Sequence, residues 1–275
     1  MIHEKRSTLS SYASRLLSEG RLVFSAGEAE RALGISRGAF LDAAERLQRR
    51  KHLVKPRRGF YVVVPPQYAS WGAPPPSWYI DDLMLHEGRP YYVGLLKAAE
   101  LSGATHQAVM EFQVVTDKRL PKIHVGRTLI AFYYRKDLKT VLNGIEGRKT
   151  DTGKMNVSSV ELTALDLLRY PHAAGGMDNI VTILTDLGPK LRPQELAELS
   201  SAVERPVIQR LGYLLDRLGH EGGTGSLFNT LSGSGAFPWV ELDSKETRHP
   251  EFTLPPLERD ERWRVIVRRP PEIDE

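Results

Sequence analysis

The chain has 275 residues, 41% apolar and 26% charged, with a net charge of +4 and no cysteine. This is an ordinary globular composition, long enough for two domains, and it excludes a disulfide framework, a cysteine metal site and a thiol nucleophile. No run of about 18 apolar residues offers a membrane span, and the polar start at residues 1–11 lacks a signal core, so a reducing cytoplasm is the expected compartment.

The first elements are read between Phe24 and Val64. Ser25 with Glu28 forms a capping-box pattern that starts a helix. Gly34-Ile35-Ser36 supplies a tight turn, and a second helical period runs from Arg37 to Arg50. Leu53 to Val64 then reads as strand, cationic tip and strand. Helix, turn, helix and basic hairpin in that order predict a winged helix-turn-helix, which places one helix in the DNA major groove and a wing beside it. The charge agrees: residues 1–64 hold 13 Lys/Arg against 6 Asp/Glu, a balance of +7, and residues 65–275 hold 25 against 28. A basic module on a slightly acidic body predicts double-stranded DNA as the partner of one domain only.

Residues 65–77 are proline-rich and form the expected boundary between a DNA-binding domain at 1–64 and a second domain at 78–275. Tyr68 and Trp71 within this linker predict that it packs along a surface. Trp78–Leu85 and Pro90–Leu101 carry helical spacing. Phe112–Thr116, Lys122–Val125, Thr128–Arg135 and Lys149–Val157 are rich in β-branched and aromatic residues and read as strands. From Ser158, with Glu161 as a second capping-box pair, the chain turns helical again. Met177, Ile180, Val181, Leu184 and Leu187 keep helical spacing, and Pro193 and Pro206 suit first turns of two further helices. Gly222–Gly235 reads as a flexible loop around a short Leu227–Leu231 helix, and Glu261–Arg269 alternates as a strand. The expected class is α+β: the winged helix-turn-helix, then a larger mixed domain with a small β-sheet and a helical C-terminal part.

Candidate DNA contacts follow from helical geometry. With about 100° per residue, Phe40, Leu41, Ala44 and Leu47 fall on the core side. Gly38, Ala39, Asp42, Arg46 and Arg49 face outward, and Arg50 follows at the helix end. Small residues allow close approach, and arginines reach phosphates or guanine edges. Ser36 and Arg37 lie at the helix N-terminus, where free N–H groups attract phosphate. Lys55, Arg57 and Arg58 form the wing tip, suited to backbone or minor-groove contact. The plainer reading is a solvated charged face in which Asp42 and Arg46 form an i, i+4 pair.

Enzyme signatures are poor. Gly222-Gly223-Thr224-Gly225-Ser226 lacks the lysine of a phosphate-binding loop, and the eight histidines form no metal-ligand spacing. Asp81-Asp82 and Asp151 with Glu161 are conceivable nuclease carboxylates but suit helix caps and turns better. Arg262, Arg264, Arg268 and Arg269 suit either an extended binding surface or a charged strand edge. No cofactor, metal or catalytic residue is expected.

Four stretches carry a resemblance. Leu9-Ser10-Ser11-Tyr12-Ala13 through Phe60-Tyr61-Val62 is the first, and Pro74-Pro75-Pro76-Ser77-Trp78-Tyr79-Ile80-Asp81-Asp82-Leu83-Met84 the second. Val160-Glu161-Leu162-Thr163-Ala164-Leu165-Asp166-Leu167-Leu168-Arg169-Tyr170-Pro171 and Ala173-Ala174-Gly175-Gly176-Met177-Asp178-Asn179 complete it. Over about residues 7–218 the chain resembles the AbiEi antitoxins. The resemblance implies a bacterial abortive-infection operon whose partner gene encodes a nucleotidyltransferase-like toxin. It implies that the winged helix binds repeats in the operon's own promoter and represses it, while the C-terminal domain carries the antitoxin activity. In family systems described as type IV, antitoxin and toxin need not form a stable complex. Two other readings compete with it: a ligand-responsive regulator whose second domain senses a small molecule, and a nucleic-acid-processing enzyme.

Overall fold

The computed structural model describes residues 8–105, 109–233, 235–247, 251 and 253–272. Residues 1–7 of the polar start and Ser234 of the Gly/Ser stretch lie outside the described residues. The chain divides into two compact units. One comprises residues 1–92, 110–136 and 147–156; the other comprises 93–109, 137–146 and 157–275. The fold is mixed α+β, with several sheets.

The first unit begins with helix α1 (Leu9–Ser18), strand β1 (Val23–Ser25), helices α2 (Ala26–Leu33) and α3 (Arg37–Arg49), and the hairpin β2 (Leu53–Arg57) and β3 (Phe60–Val63). Helix α1 precedes the elements expected from the sequence, with Leu9, Tyr12, Ala13 and Leu16 buried at helical spacing. Thr8 and Ser11 close a complete capping box there. Ser25 caps α2 as expected, but Glu28 does not return to the cap. Its carboxylate instead pairs with Arg21 at 2.8 Å and accepts from the Tyr12 hydroxyl at 3.1 Å. Gly34 at φ 60° makes the left-handed turn between α2 and α3, where a side chain would be strained.

The strands order as β1-β3-β2, all antiparallel. An aromatic column joins these elements. Phe24 stacks on Tyr61 at 5.6 Å, and Tyr12 and Phe40 meet that pair edge-on at 5.5 and 5.2 Å. Each such pair adds about 0.5–1.5 kcal/mol beyond its buried area.

Residues 65–77 pack as two single turns of 3₁₀ helix around buried Ala73, Pro74 and Pro76. Helix α4 (Ile80–Glu87) follows. Pro90–Leu101 is not one helix: Tyr91–Val93 forms strand β4, and α5 (Leu95–Leu101) starts after it. Aromatic and β-branched residues buried in succession favour a strand there, outweighing the helical spacing. Strands β5 (Glu111–Thr116), β6 (Ile123–Val125), β7 (Thr128–Tyr134), β8 (Ile145–Thr150) and β9 (Gly153–Ser158) complete a six-stranded sheet of order β6-β7-β5-β4-β9-β8. The single strand region expected at 149–157 is therefore two strands.

The second unit is mainly helical: α6 (Val160–Arg169), α7 (Met177–Leu187), α8 (Pro193–Ser200), α9 (Arg205–Arg217) and α10 (Thr224–Gly233). The expected flexible loop at 222–235 is largely α10, whose Leu227 and Leu231 are buried. Ser159 rather than Ser158 caps α6, accepting from the Leu162 N–H. Of the C-terminal strand only Val265–Val267 forms (β12), between β10 (Val240–Glu241) and β11 (Glu258–Asp260). Gly212 packs flat on Trp263, whose indole donates to Asp216 at 2.6 Å.

Glu161, fully buried on α6, is held by Arg192. It accepts from the Arg192 backbone N–H at 3.0 Å and from its guanidinium at 3.1 and 3.2 Å. Burial works to raise the Glu161 pKa, but these donors together hold it below the ordinary carboxylate value. A depressed folded pKa gives stability that is present above the unfolded value and is lost as pH falls through the folded one. Denaturant unfolding of the wild type should therefore weaken as pH drops from roughly 5 toward 3. Glu161→Gln should be less stable at pH 7 and should flatten that dependence. An unchanged pH profile in the variant would show that Glu161 is not a source of it.

Candidate nucleic-acid interface

Helix α3 presents a sharply divided surface. Phe40, Ala44 and Leu47 are buried, while Ser36, Arg37, Gly38, Ala39, Asp42, Arg46, Arg49 and Arg50 are all exposed. Leu41 departs from the expected core placement. It is 43% exposed, on the rim of the helix rather than in its buried stripe. Ser36 spends its hydroxyl on the helix cap, accepting from the Ala39 N–H at 3.3 Å. The cations differ in how they are used. Arg37 meets Glu30 at 3.3 Å and Arg49 meets Glu45 at 2.6 Å. Arg46 and Arg50 have no ion pair with any described residue, and the i, i+4 pair of Asp42 with Arg46 does not form. Lys51, at φ 58° just beyond α3, is a further exposed cation without an ion pair among the described residues. The run Arg49-Arg50-Lys51 was its signal in the sequence.

The hairpin is less free than a projecting wing would be. Phe60 to Val64 are all buried. Tyr61 and Val63 join the helical core of the module, while Phe60 meets the His86 ring at 5.3 Å. Gly59 at φ 79° makes the turn. Lys55 and Arg58 are exposed without ion pairs among the described residues. Arg57 points the other way. Its side chain is 16% exposed and lies 2.9 Å from Glu87. It donates to the Pro121 carbonyl at 2.9 Å and covers the Phe132 ring at 5.3 Å. Arg57 is the last residue of β2 and Arg58 lies in the turn beyond it, so one cation of the pair is an internal anchor and the other is exposed.

The remaining chemical candidates are absorbed into structure. Asp81 accepts from the Tyr91 hydroxyl and Asp151 from the Trp78 indole. Burial and the neighbouring Asp81 raise the Asp82 pKa. Among the described residues no group of three or more His, Asp or Glu is placed to hold a metal ion. The terminal arginines are engaged as well. Arg262 pairs with Asp216, Arg268 with Glu241 and Arg269 with Asp178, and Arg264 donates to the Phe237 carbonyl. Among the described residues no helix is long and apolar enough to cross a membrane.

Residues 92–217, which run from within β4 to the end of α9, match the family model described as the AbiEi antitoxin C-terminal domain. This part of the chain belongs to the AbiEi antitoxin family. The match supports an antitoxin role in a toxin–antitoxin system. Across nearly its full length the chain also has the fold of a solved structure, the crystal structure of the RV2827C protein from Mycobacterium tuberculosis. The TM-score is 0.66 at 17% identity, covering 94% of this chain and 90% of that one. No curated protein matches it.

The two hairpin arginines give a direct contrast. Arg57→Ala should lower the unfolding free energy by about 1–3 kcal/mol, because it strands Glu87 and removes a hydrogen bond to a carbonyl. Arg58→Ala should stay within about 0.5 kcal/mol of wild type. Equal stabilities in denaturant titrations would mean that Arg57 does not anchor the hairpin.

Proposed function

We propose that this AbiEi protein is the antitoxin of a bacterial abortive-infection operon. Its first 64 residues bind the operon's own promoter as a winged helix-turn-helix and repress transcription. The rest of the chain counteracts a nucleotidyltransferase-like toxin, without catalysis of its own and without a stable complex, in the bacterial cytoplasm. The observation that carries the DNA-binding part is the set of exposed cations lacking carboxylate partners among the described residues. Arg46, Arg50, Lys51, Lys55 and Arg58 all lie on or beside α3 and the hairpin. Duplex phosphates are the partner such a set fits, and the paired arginines Arg37 and Arg49 can exchange their carboxylates for phosphate. Arg57 is left out of the interface because its charge is spent internally.

The full-length protein should shift DNA from upstream of its own gene, and the affinity should fall steeply with salt. Five neutralised phosphates give a log–log slope of roughly −4 to −5. Lys55→Glu combined with Arg58→Glu should abolish promoter repression. The same variant should still protect cells when the toxin is expressed from an independent promoter. Salt-independent binding, or none, would reject the DNA reading. Loss of protection by a folded variant would reject the division of labour.

A further inference from the structure

Resting on that DNA-binding reading, we infer that Asp42 reads a base: it accepts a hydrogen bond from a cytosine amino group in the major groove and so sets one position of the operator. Helix α3 carries two acids. Glu45 is neutralised by Arg49 at 2.6 Å. The Asp42 carboxylate is exposed and has no ion pair or hydrogen bond with any described residue, although Arg46 follows one turn later. On a surface built for phosphate, an unpaired carboxylate costs affinity by repulsion unless it meets a donor.

Position decides what that donor is. At about 100° per residue, Asp42 lies nearly opposite the buried stripe of Phe40, Ala44 and Leu47, on the crown of the helix. A helix seated in the major groove brings its crown to the base edges and its flanks to the two strands. Gly38, one turn earlier on the same line, has open space where a side chain would be, so nothing on that line holds the backbone away from the groove floor. A side chain as short as aspartate can then reach. The carboxylate has acceptors only. Guanine presents acceptors at N7 and O6 and repels it, and adenine sets an acceptor beside its amino group. Cytosine offers the N4 amino donor without N7 beside it.

Selection of binding sites from a random duplex library by the full-length protein tests this, run in parallel with Asp42→Asn and Asp42→Ala. Wild type should enrich a motif containing a cytosine at a discrimination of about tenfold or more. Asp42→Ala should flatten that one position to about twofold or less and leave the others intact. Asp42→Asn should move the preference there toward adenine, which asparagine can bond with both donor and acceptor. Affinity for sites lacking that cytosine should hold or rise in both variants, since a negative charge has left a phosphate-binding surface. If wild type selects a motif and both variants select the same one, Asp42 does not read a base, while the DNA-binding reading stands. If wild type enriches no motif, both readings fall.

Discussion

The position of Tyr61 between Phe24 and Phe40 is the constraint on which the rest of the module depends. Tyr61 belongs to the hairpin, Phe24 to the short strand before α2, and Phe40 to α3. Their packing fixes the rotation of α3 about its own axis, because Phe40 must meet the Tyr61 ring while Ala44 and Leu47 turn into the same buried core. Once that face is buried, Gly38, Asp42 and Arg46 have only the outward direction left. The proposed DNA-binding surface is therefore a consequence of core packing as much as of surface charge.

Charge alone would have misjudged that surface. The module holds 13 basic residues within its first 64, yet they do different work. Arg21 is tied to Glu28, and Arg57 lies between Glu87 and the Phe132 ring. Exposed ion pairs such as Arg49 with Glu45 contribute little to stability and are easily exchanged for another anion. The half-buried Arg57 is different, since removing it leaves Glu87 without its cation in a poorly solvated place. The hairpin is thus anchored by one arginine and left with two exposed cations, Lys55 and Arg58, to offer a ligand.

Much of this was legible in the sequence. The turn at Gly34, the span of α3, the hairpin and the helices from α6 to α9 follow from capping, periodicity and proline placement. Helix α1 is legible too, from the helical spacing of Leu9, Tyr12, Ala13 and Leu16. Other features were beyond local pattern. Tyr91–Val93 is short enough to be absorbed into a neighbouring helical period, and only burial in a sheet makes it a strand. Glu161 looked like a capping-box partner, but its real partner, Arg192, is 31 residues away. Arg57 and Arg58 are chemically alike in sequence, and which of them meets another element is a tertiary fact. The family resemblance named the antitoxin domain, but could not distinguish an arginine that binds a ligand from one that holds the fold.

The central claim is that the outward face of α3 enters a groove of the operator. The chain has no cysteine, so a single Gly38→Cys substitution can carry a DNA-cleaving iron chelate at a position with open space around it. The account predicts strand scission confined to a few base pairs, on both strands facing one major groove of the bound promoter. A labelled protein that still shifts the fragment but leaves it uncut would contradict it.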